Sequence, residues 1–92
     1  MLYPFMTLND DTEIVHSESY IAEGKEHVRV EIEKPIAGGF ASAECILPEY
    51  QWKNVSGFNE EDIAKYQELI ESMSHIIIRL AREGGFESAS GF

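Results

Sequence analysis

From Asn59 onward the apolar positions recur at alternating steps of three and four: Ile63, Tyr66, Ile70, Met73, Ile77 and Leu80, with Leu69 and Ile76 widening one flank. That spacing predicts one amphipathic helix over residues 60–83, a rod of ~36 Å. Its ends carry matching signals. Asn59 can accept from an orphaned backbone N–H, Phe58 and Ile63 are placed for a hydrophobic staple, and Glu60, Glu61 and Asp62 suit the positive end of the helix dipole. Arg79 and Arg82 suit the negative end, and Gly84 can take the left-handed conformation that stops a helix. A stripe this wide packs on a sheet or pairs with another helix; Ile78, off the stripe, adds a candidate second contact.

Upstream the period drops to two. His27–Glu33 alternates, with Val28, Val30 and Ile32 on one side and charge on the other, and Pro35 is expected to end that ladder because it has no N–H to donate. Phe40–Leu47 reads as a second strand, with Ala41, Ala43, Cys45 and Leu47 on one face and Pro48 closing it. Thr12–Ile21 and Tyr3–Leu8 are two further strand candidates, and residues 49–58 read as a link into the helix. The predicted fold is α+β: an antiparallel meander of three to four strands, then one long C-terminal helix packed on one sheet face. Residues 1–83 form the expected single domain, and residues 84–92 a Gly/Ser-rich tail.

Charge narrows the function. Seven Lys and Arg against 17 Asp and Glu in 92 residues leave a net charge of −10. Nucleic-acid binders neutralise phosphates with clustered basic residues, so direct binding is disfavoured, and an anionic membrane surface would repel the chain. Basic partners would be attracted. The acids are uneven, with eight acids and two bases in residues 1–33 but two and two in residues 34–58. The near-neutral middle is therefore a candidate contact region. One cysteine, Cys45, cannot form an internal disulfide and suits a reducing compartment. Met1–Met6 lacks the basic start of a signal peptide, and no apolar run reaches the ~20 residues of a membrane helix, so a cytoplasmic location is expected.

No catalytic or cofactor string is present, and no cofactor is expected. Tyr50 and Trp52 share one side of an extended segment beside the helix; they either cap the core or, with Ile78, anchor a partner. If Gly24-Lys25 form a two-residue hairpin turn, residues whose numbers sum to 49 face each other. His16 then meets Glu33, and Glu18 meets Glu31. His16, Glu18, Glu31 and Glu33 would form an oxygen-rich patch able to hold a divalent cation, or else a solvated charged face. His75 lies four residues after Glu71 and reads as a helix-surface imidazole, and Cys45 as a buried thiol.

The order His27-Val28-Arg29-Val30, a following strand, the Leu47-Pro48 stop and a long C-terminal helix resembles small uncharacterised bacterial domains, some of them described as toxin–antitoxin components. The resemblance implies a bacterial cytosolic origin and a protein partner, and supplies no site residues. The basic run of a DNA-binding antitoxin is missing. Taken together, these features point to a protein–protein interaction module, either a homodimer or half of a hetero-complex. A divalent-metal- or small-ligand-binding domain or enzyme using the polar sheet face, and an acidic nucleic-acid mimic, are the alternatives.

Overall fold

Alternating residues turn one sheet face apolar, and the 3.6-period stripe of the helix covers it. The structure, a computed structural model, describes residues 1–84. Its order is β1 (Leu2–Thr7), β2 (Glu13–Ser17), β3 (Tyr20–Ala22), β4 (Lys25–Ile36), β5 (Gly39–Leu47), β6 (Gln51–Ser56) and α1 (Glu60–Glu83). All pairings are antiparallel in the spatial order β1-β2-β4-β5-β6, with β3 beside β2 on the same flank of β4. The α+β class and the helix on one sheet face follow the hydrophobic pattern.

The core is Ile14, Val28, Val30, Ile32, Cys45 and Leu47 from the sheet against Ile70, Ile77 and Ala81 from α1. Ile63 and Met73, on the same stripe, are half-buried at its margin. Asn59 accepts from the Asp62 N–H while the Asp62 carboxylate accepts from the Asn59 N–H, closing a capping box. Gly84 caps the other end at φ 84°.

The strands depart from the pattern in four places. Residues 51–56, expected within a link, form β6 at the sheet edge, because the turn through Pro48 and Tyr50 (φ 57°) folds them back on β5. The expected Thr12–Ile21 strand breaks between Ser17 and Tyr20, where a side chain and the helix end replace the strand ladder: Ser17 Oγ accepts from the Arg29 N–H at 2.9 Å, and the Ser19 backbone N–H donates to the Ala81 carbonyl at 3.2 Å. Pro35 does not end β4; it pairs with Phe40 beside the β4–β5 turn, where one missing N–H is tolerated. The β3–β4 turn is Glu23-Gly24, both at positive φ, one residue earlier than expected.

At the helix-proximal end of β6, Gly57 takes φ +83°, and a Cβ there would lie 2.8 Å from the Ala41 Cβ. Close approach and left-handed backbone together require glycine at this corner. The edge strands are irregular: β1 contains Pro4 and a bulge, and β6 shifts register between Ser42 and Glu44. No helix among the described residues is long and apolar enough to cross a membrane.

Candidate functional site

The register of β2 on β4 decides which side chains share a face. Glu13 pairs with Glu33, Ile14 with Ile32, Val15 with Glu31 and His16 with Val30, so partners sum to 46 rather than 49. An odd offset in a period-two element moves a side chain to the opposite face. His16 is therefore turned toward the helix side and is fully buried, with rings of Tyr3 at 5.6 Å and Phe5 at 6.4 Å. Its Nδ1 donates to the Ser17 carbonyl at 2.8 Å, and Nε2 has no hydrogen-bond partner.

The expected His16–Glu18–Glu31–Glu33 patch is thus not assembled. Glu18 accepts from the Tyr3 hydroxyl at 3.1 Å, which raises the Tyr3 pKa above its ordinary value. Glu31 accepts from Arg29 Nε at 2.8 Å, and Glu33 is exposed on the outer face opposite Glu13. Among the described residues no three His, Cys, Asp or Glu side chains gather where they could hold a metal ion.

The three candidate anchors turn inward. Trp52 pairs with Cys45 in the β5–β6 ladder and its indole N–H donates to Gln67 Oε1 on α1 at 3.0 Å. Tyr50, Trp52 and Ile78 are half-buried and pack against the core. Ile78 also lines a narrow groove of about 250 Å³ with Val28, Leu47 and Pro48. The bond from Trp52 to Gln67 fastens the edge strand to the helix, using the polar tip of an otherwise apolar ring.

The outer face of the sheet carries what β2, β4 and β5 turn away from the core. Glu13 lies directly opposite Glu33, and Glu31 directly opposite Glu44. These four carboxylates, with Leu2 and Val15, line a hollow of about 370 Å³. Like charges directly across a ladder are destabilising. Arg29 offsets Glu31 alone; Lys53 is the register partner of Glu44, but no ion pair joins them. The sequence showed an acidic face through its parity, whereas the two glutamate rows required the register.

Cys45 is buried, and desolvation pushes its thiol up to about 12. It makes a poor nucleophile at neutral pH. Comparison with known proteins finds no matching family model, no matching curated protein and no matching solved structure.

Proposed function

We propose that this chain is a protein-interaction module whose outer sheet face receives a basic segment of another protein. The observation that carries the reading is the double row of opposed glutamates, Glu13 with Glu33 and Glu31 with Glu44, around a hollow that also presents Leu2 and Val15. Cationic side chains from a partner would relieve the repulsion, and the two apolar residues offer contact between them. Strand addition is the weaker mode here, because Pro4 and the bulges of β1 and β6 interrupt both edges. A second copy of the chain is disfavoured at this face, since it would bring the same sign of charge. A pairing of toxin–antitoxin type in a bacterial cytoplasm is one form such a complex takes, and the unpaired, buried Cys45 suits that reducing setting.

The test is capture of partners by the full chain from native lysate, with and without nuclease and across a salt series. One stoichiometric protein released between low and high salt supports a charged contact. A partner held equally at high salt, or lost on nuclease treatment, overturns it.

A further inference from the structure

A second hollow, of about 580 Å³, opens where two hairpins separate. β4 outruns β5 there: Lys25–His27 pair only with β3, and the β4–β5 ladder begins at Val28 with Leu47. A side-chain contact spans the gap, His27 Nε2 to Glu49 Oε1 at 3.3 Å. The same ring donates from Nδ1 to the Lys25 carbonyl at 3.0 Å and stacks on Tyr20 at 5.8 Å, so this wall is held in three directions. The floor is Ile46, an isoleucine on the solvent side of the sheet that is only 8% exposed.

Some charged tips elsewhere are engaged within the fold, Glu26 with Arg82, Glu31 with Arg29 and Asp10 with Lys34, while others, Glu13, Glu33 and Glu44 among them, are not. Around this hollow Glu49 is engaged by His27, while Glu23 and Lys53 form no ion pair or hydrogen bond among the described residues. One free carboxylate and one free ammonium therefore border an apolar floor and an aromatic wall. The volume lies within the ~300–1,000 Å³ of small-molecule sites.

We propose that this hollow binds a small zwitterion, a free α-amino acid with an apolar side chain. Its carboxylate meets Lys53, its ammonium meets Glu23, and its side chain lies on Ile46 against the Tyr20–His27 pair. A lone cation or a lone anion would satisfy one of the two free groups and leave the other unanswered. The site adjoins the glutamate rows at Lys53, the register partner of Glu44, but uses none of their four carboxylates and does not depend on the interaction reading.

The test is an amide-resolved NMR titration of the full chain with leucine, leucinamide and 4-methylpentanoate, each to about 20 mM, a concentration that reveals even millimolar affinity. The expected result is saturable shifts at Tyr20, His27, Ile46 and Gln51 with leucine, weakened about tenfold or more by either analogue. Lys53→Gln and Glu23→Gln, both exposed and unpaired, should each weaken leucine binding similarly without altering the spectrum elsewhere. The proposal is overturned if leucine produces no saturable shift at these residues, if an analogue binds equally well, or if the variants bind like the parent chain.

Discussion

His16 lies across the ladder from Val30, on the helix side of the sheet, while Glu31 and Glu33 point to the other side. An imidazole and those carboxylates therefore cannot share an ion. Adding Zn²⁺, Mn²⁺ or Ca²⁺ should leave the unfolding temperature unchanged, whereas a site held at 100 times its Kd would add ~2.7 kcal/mol. A stabilisation abolished both by Glu33→Gln and by His16→Gln would contradict the register.

Ile70 sits at the centre of the helix stripe and is 1% exposed. Ile70→Ala removes its contacts with the sheet and leaves a cavity, with an expected loss of ~2–5 kcal/mol in denaturant unfolding. Against the ~5–9 kcal/mol available to a chain of this size, the variant should be marginally folded at 37 °C. A loss below about 1 kcal/mol would mean the helix does not pack as described.

Thiol chemistry reports the same core from its other wall. Because burial pushes the Cys45 thiol up to about 12, native protein at pH 8 should resist iodoacetamide, and reaction should follow global unfolding. Rapid alkylation under native conditions would place the thiol outside the core.

The end of the helix is tied to the start of β4 by Arg82, whose guanidinium pairs with both oxygens of Glu26, one at 2.8 Å, while Ser19 Oγ donates to the same carboxylate at 2.6 Å. The Arg82 bonds first, and the Ser19 bond second, hold Glu26 at about 2, below its ordinary 4.5. A depressed carboxylate stabilises the fold above its unfolded value and loses that contribution as pH falls from about 4.5 toward 2. Glu26→Gln should therefore lower stability at pH 7 and converge with the parent chain near pH 2, read by chemical denaturation across pH.

How far the sequence exposed this architecture depended on the range of the interaction. Both helix ends were legible because Asn59, Asp62 and Gly84 act on neighbours within one turn. The apolar sides of β4 and β5 were legible because parity is local. Register was not, since it turns on the Ser17–Ser19 break, where Ser17 Oγ takes over an acceptor role and Ser19 binds the helix end; neither bond has a signature in chain order. β6 was hidden by its composition: exposed Lys53, Asn54, Val55 and Ser56 look like a link, and only pairing with β5 makes them a strand. That Tyr50 and Trp52 could cap the core was legible from their place beside the helix, whereas the pairing of Trp52 with Cys45 needed the sheet. Acidity was plain in composition, yet the opposed rows of Glu13–Glu33 and Glu31–Glu44 could be placed only with the sheet in hand.

The most direct measurement compares three full-length forms as bait in nuclease-treated lysate. The first is the parent chain; the second carries Glu13→Gln, Glu31→Gln, Glu33→Gln and Glu44→Gln; the third carries Glu60→Gln, Glu61→Gln, Glu68→Gln and Glu71→Gln on the solvent side of the helix. The two variants have the same net charge, so non-specific attraction falls equally in both. The account predicts a partner retained by the parent chain and the helix variant and lost by the sheet variant. Equal retention by both variants, or no stoichiometric partner on any of the three, would contradict it.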